Sequence, residues 1–106
     1  MVRIIQIVPA RSIRLFGLMV KKEVELSRRN QGTFFRTGRK KRNQTKWSHI
    51  RHRGWINIQR GEGEVVTAEV LSRTGTNEWQ LLQAFVGWLD RHFGKELAAI
   101  NVQYRK

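Results

Sequence analysis

The segment from Glu78 to Phe93 limits the fold most. Leu82, Phe85, Val86, Leu89 and Phe93 recur at helical spacing and line up on one face of an α-helix. Asn77 stands where an N-cap belongs, with Gln80 three residues on. Gly94 stands where a left-handed residue stops a helix. The spacing predicts a helix over about 78–93. A helix with one apolar face needs an apolar surface to lie on, and the rest of the chain must supply it.

That surface reads as strands. Ile4, Ile5, Ile7 and Val8 crowd β-branched side chains before Pro9 and predict a strand buried on both faces, which Pro9 ends. Arg11 to Leu26 is ambiguous. On a helix, Ile13, Phe16, Val20 and Val24 share one face, but Leu15, Met19 and Leu26 fall on another. Glu23-Val24-Glu25-Leu26-Ser27 alternates cleanly, Asn30-Gln31-Gly32 supplies a turn, and Thr33-Phe34-Phe35-Arg36 follows. The expectation is a hairpin over residues 22–37. Met19-Val20-Lys21 echoes Met1-Val2-Arg3, so residues 1–18 are readable as a peripheral extension.

Residues 38–46 carry consecutive like charges and predict an exposed loop. Trp47 to Arg53 and Trp55 to Arg60 have strand composition around Gly54, with Ile56 and Ile58 on one face and Trp55, Asn57 and Gln59 on the other. Gly61-Glu62-Gly63-Glu64 is a turn. Val65 to Ser72 is a strand with Val66, Ala68 and Val70 on one face, and a last strand puts Ile100, Val102 and Tyr104 together. The fold class is α+β: a mainly antiparallel sheet with one long C-terminal helix, about 78–93, packed on it and a final strand. If residues 11–28 were helical, the order would become β-α-β-β-α-β, a ferredoxin-like arrangement.

With 106 residues, 40% of them hydrophobic, the chain suits a single domain over 1–106. It has no cysteine, which excludes disulfides, thiolate metal sites and a thiol nucleophile. No apolar run reaches the roughly 18 residues of a membrane span, so no membrane partner is expected. Arg11 and Arg14 interrupt the one stretch resembling a signal peptide, and Lys21 and Lys22 stand where small residues should mark cleavage. A cytoplasmic protein is the simplest expectation.

Charge is unevenly spread. Residues 1–60 hold 16 Lys/Arg against two Glu, whereas residues 61–106 hold 5 against six carboxylates, within a total of +13. The window from Arg28 to Arg53 contains no acidic residue and ten basic ones: Arg28, Arg29, Arg36, Arg39, Lys40, Lys41, Arg42, Lys46, Arg51 and Arg53. Such a field attracts polyanions, and cations on phosphates release counterions. Arg39-Lys40-Lys41-Arg42 resembles the short arginine-rich motifs of RNA binding or nuclear import. Phe34, Phe35 and Trp47, interleaved with these charges, read as core aromatics, the alternative being exposed rings that stack on unpaired bases.

Other constellations carry less. On a strand, His49 and His52 would point to opposite faces, which is wrong for a shared metal. Either could still act as general acid or base beside Arg51 and Arg53. His92 flanks the helical stripe and reads as a partly buried imidazole. Glu62, Glu64 and Glu69 read as a solvated turn, and Gly61 and Gly63 lack the ending of a phosphate loop. Trp88 with Leu81 forms an apolar strip that a second copy could cover, which raises a homodimer.

The expected function is a non-enzymatic module that binds nucleic acid, RNA or DNA, or another polyanion. It would use a basic face with weak sequence specificity and no cofactor. The alternatives are a small metal-independent ribonuclease of toxin type, and a subunit of an assembly whose acidic partner covers the basic face.

Overall fold

The computed structural model describes residues 2–39, 41–73 and 78–105. In chain order the elements are β1 (Val2–Pro9), α1 (Leu15–Arg28), β2 (Phe34–Arg36), β3 (Gln44–His49), β4 (Trp55–Arg60), β5 (Val66–Leu71), α2 (Glu78–Phe93) and β6 (Leu97–Arg105). The strands form one sheet in the order β2-β3-β4-β5-β1-β6, with every ladder antiparallel. The antiparallel sheet, the long helix after it and the final strand are as the sequence predicts. The second helix, α1, also makes the alternative order real: β1, α1, β4, β5, α2 and β6 run β-α-β-β-α-β. The β2–β3 hairpin is inserted between α1 and β4 and widens the sheet beyond β4.

Alternation along each strand decides which face is covered. Ile5, Ile7, Trp47, Ile56, Ile58, Val66, Ala68 and Val70 point to one side and are at most 2% exposed. Leu15, Phe16 and Met19 of α1 and Leu81, Leu82, Phe85, Trp88, Leu89 and Phe93 of α2 complete the same apolar cluster. Both helices therefore lie on one face, and among the described residues no helix covers the other, which is left open. Burying each large side chain in that cluster contributes about 1.5–3 kcal/mol. Arg3 of β1 reaches the start of α2, where its guanidinium donates to Glu78 at 3.0 Å. Glu78 also sits at the positive end of the helix dipole, so the pair anchors α2 at its entry.

The hairpin expected over residues 22–37 is not formed. Residues 15–28 are α1, and only Phe34–Arg36 is strand. The reason is Glu23, which is buried at 6% exposure. One carboxylate oxygen accepts from the Ser27 hydroxyl at 3.0 Å, and the other from the backbone N–H of Arg36 in β2 at 3.2 Å. A carboxylate thus holds a core-facing position beside Leu15, Phe16 and Met19, while Val24 points outward. Sequence periodicity counted Glu23 as a solvent residue and lost the stripe.

Asn30-Gln31-Gly32 is a helix end rather than a hairpin turn. Asn30 takes φ 56°, and the N–H groups of Asn30 and Gln31 bond the carbonyls of Ser27 and Leu26. This is a Schellman closure.

Four further expectations change. β1 pairs with both β5 and β6, and Ile5, Ile7, Leu15 and Phe16 are buried, so β1 and the start of α1 belong to the core rather than to a peripheral extension. β1 is buried on one face only, because Ile4 looks onto the open side. The strand β3 begins at Gln44, inside the loop predicted over 38–46, and ends at His49. Gly94 has no left-handed conformation; α2 passes into a short 3-10 turn over Gly94–Glu96. The Asn77 cap lies outside the described residues.

Candidate nucleic-acid interface

The open face is built from the strand positions that alternate with the core. Gln44 and Lys46 of β3, Asn57 and Gln59 of β4, and Thr67 and Glu69 of β5 all point to it. Paired positions put Lys46 opposite Asn57, Asn57 opposite Glu69, and Glu69 opposite Ile4. The backbone N–H of Thr37 bonds the carbonyl of Lys46 at 2.8 Å, which holds the start of the 38–43 loop against β3. From there the chain borders a groove of about 590 Å³ on the open face. Arg39 and Lys41 of the loop and Arg105 of β6 line it, together with Lys46, Asn57 and Glu69 of the sheet.

A row of aromatics continues this face. Phe34 is buried, so Phe35, the next residue, turns outward and is 41% exposed. It pairs with Ser48, and continuing the β3–β4 register by one places Ser48 opposite Trp55. Phe35 and Trp55 thus flank Ser48 across two strand spacings, about 9–10 Å. The Lys46 ammonium lies over the Trp55 ring, 5.0 Å from its centroid. Phe34 and Trp47 are core, as their size predicts, and pack with Phe85 and Trp88. Phe35 is not core.

The predicted basic residues do not form one patch. Arg39, Lys41 and Lys46 line the groove, and Arg42 lies in the same loop. Arg51 and Arg53 sit in the β3–β4 turn, at the far end of β3, roughly 17 Å away along a six-residue strand. Arg28 and Arg29 end α1 at that same far end, in the helix layer, and Arg36 projects from the helix side of β2. Lys40 lies outside the described residues. Among the described residues the ion pairs are Arg3–Glu78, Lys22–Glu25 and Arg60–Glu64, and none uses a basic residue of this window.

The histidines meet differently from the expectation. The strand ends at His49, and the turn brings His52 back so that the two rings stack at 4.7 Å. His49 Nδ1 accepts the backbone N–H groups of Arg51 and His52 at 3.0 and 3.3 Å, so this nitrogen closes the turn. Burial, His52 and Arg51 all hold the His49 pKa below its usual 6.5. Burial, then Lys22 and Arg91, do the same for His92, whose ring meets Trp88 at 5.0 Å. No group of three His, Asp or Glu that could hold a metal occurs among the described residues.

The expected apolar strip of Leu81 and Trp88 is buried, at 0% and 3% exposure, because the inserted hairpin extends the sheet beneath it. Trp79 is the exposed tryptophan of α2 instead, at 49%. It borders an apolar groove with Val86, Ile100, Val102 and Tyr104. Glu69 is no turn residue but part of the open face. Sequence reasoning missed Trp55, Asn57, Glu69 and Arg105 as site residues. Their outward phase was visible in the alternation around Ile56 and Ile58, around Ala68 and Val70, and around Val102 and Tyr104; that no described helix covers that face was not. No helix of the described residues is long and apolar enough to cross a membrane. Comparison with family models, curated proteins and solved structures returns no match.

Proposed function

We propose that this protein is a non-enzymatic nucleic-acid-binding module, working in the cytoplasm, whose contact surface is the open face of the sheet and the basic loop beside it. The observation that carries this reading is the uncovered groove bordered by Arg39, Lys41, Lys46 and Arg105, in a chain of net charge +13. Basic side chains without carboxylate partners keep their charge available for phosphates, and each phosphate they neutralise releases a counterion. Contacts of this kind position a backbone and carry no base information, so sequence preference is weak. Arg51, Arg53, Arg28 and Arg29, at the far end, extend the field and speed encounter.

Fluorescence anisotropy with RNA, single-stranded DNA and duplex DNA over a salt series tests the reading. Binding is expected, with log affinity falling steeply and linearly against log salt. Absence of binding to all three at low salt rejects it and leaves an acidic protein as the partner.

A ribonuclease reading draws on the stacked His49–His52 pair beside Arg51. One nitrogen of His49 is already committed to the turn, and the pair lies outside the groove. Incubating labelled RNA with the protein and EDTA decides between them. Intact RNA is the expected result; cleavage that His52→Ala abolishes replaces binding with catalysis.

A further inference from the structure

We infer that the open face takes unpaired nucleic acid, with its bases turned toward the sheet and stacked on Phe35 and Trp55, and its phosphates held by Arg39, Lys41 and Lys46. This rests on the nucleic-acid reading above and specifies its ligand.

Three features carry it. First, two aromatic side chains share the open face, and one of them is 41% exposed at a position where solvation favours a polar residue. Duplex bases are already stacked on each other and cannot use such platforms, whereas unpaired bases can. Second, the charge is ordered rather than uniform. Arg39 and Lys41 come from the loop beside the sheet, while the sheet itself holds Asn57, Gln59 and the carboxylate of Glu69, with Lys46 opposite Asn57. A carboxylate repels phosphate and accepts from base N–H groups, so the backbone runs along the loop side and the bases point to the sheet. Third, Lys46 links the two halves. Lys46 lines the groove while its ammonium sits over Trp55, where a phosphate can draw it away and free the indole face for a base.

The ligand chemistry is an unpaired strand with exposed bases, and oligo-U RNA and oligo-dT DNA serve as its two sources. Anisotropy is measured for these and for a duplex of equal length, using the wild type, Phe35→Ala, Trp55→Ala and Trp55→Phe. The two alanine variants are each expected to lose roughly 5- to 100-fold in affinity for single strands, the range of a base–aromatic stack. Their salt slopes should not change, because no phosphate contact is removed. Trp55→Phe should recover most of the loss, which separates stacking from general damage. Phe35 is exposed, so its variant folds and keeps the test decisive even if Trp55→Ala does not. Quenching of tryptophan fluorescence by single strands but not by duplex is the expected second readout.

Three outcomes overturn the inference. If duplex binds as tightly as single strands and Phe35→Ala leaves every affinity unchanged, the stacking face is rejected while the phosphate-binding reading stands. If the alanine variants flatten the salt slope instead of lowering affinity at constant slope, the aromatics act only through the basic side chains. If the wild type binds no nucleic acid, both readings fall together. Tighter binding of RNA than DNA assigns part of the contact to the 2′-hydroxyl; equal binding assigns the contact to bases and phosphates alone.

Discussion

Two side chains show how much one atom can decide here. His49 Nδ1 is an acceptor for two backbone N–H groups, and protonation would turn it into a donor facing donors. Burial and the neighbouring His52 and Arg51 already disfavour the charged ring. The folded state therefore binds fewer protons than the unfolded chain once pH falls below 6.5, the usual imidazole value. Stability is full above that pH and declines as pH drops through it toward the lowered folded value. His92 acts in the same direction. Thermal melts are expected to shift down between neutral and mildly acidic pH. Replacing both histidines with asparagine should flatten that dependence; an unchanged shift would place its origin elsewhere. Glu23 is the second case. Removing its carboxylate strands the Arg36 N–H and the Ser27 hydroxyl, so Glu23→Ala should cost about 1–3 kcal/mol. Val24→Ala, on the exposed side of the same helix, should cost well under that. Denaturant melts of the two variants would reverse in order if residues 22–28 formed the strand that their alternation suggests.

Among the elements, the β2–β3 hairpin has consequences out of proportion to its length. It widens the sheet, so Trp88 finds Phe34 and Trp47 to pack on and leaves the surface. It also carries Phe35 and Lys46 to the open face and holds the basic loop at its tip. Its edge strand is only three residues long, and α1 supplies Glu23 to one of its outward N–H groups. Short, partly capped edges resist pairing with other chains. Gly54 fixes how β4 leaves the hairpin. Its φ is +120°, and a Cβ there would meet the Leu71 carbonyl oxygen at 2.5 Å and Leu81 Cδ2 at 3.1 Å. Gly54→Ala combines backbone strain with overpacking and should destabilise by about 2–4 kcal/mol, read from chemical melts. A change under about 1 kcal/mol would mean that β4 and α2 can separate at this point without penalty.

The whole molecule divides its work between two faces of one sheet, an apolar one under both helices and a polar, basic one left open. Since Arg39, Lys41 and Arg42 are exposed, neutralising all three should leave stability unchanged or slightly raised by relief of self-repulsion. The slope of log affinity against log salt for single strands should flatten by up to about 2 units, at roughly 0.7 per contact. An unchanged slope would move the phosphate contacts to Arg51 and Arg53 at the far end of β3.

Much of this architecture is readable in the sequence. The helix over 78–93, the strand phases of Ile56, Ile58, Val66, Ala68 and Val70, and the acid-free basic window follow from local periodicity and composition, which the chain carries residue by residue. The rest depended on which surfaces meet. The α1 stripe was hidden because Glu23 is buried by a partner thirteen residues away, and polarity alone marks it as exposed. Trp88 and Phe35 exchanged their expected roles because the inserted hairpin covers one and exposes the other. Whether a face of alternating polar residues stays open is a property of where the helices land. The two crossovers put both on one side, and no residue of the open face encodes that by itself.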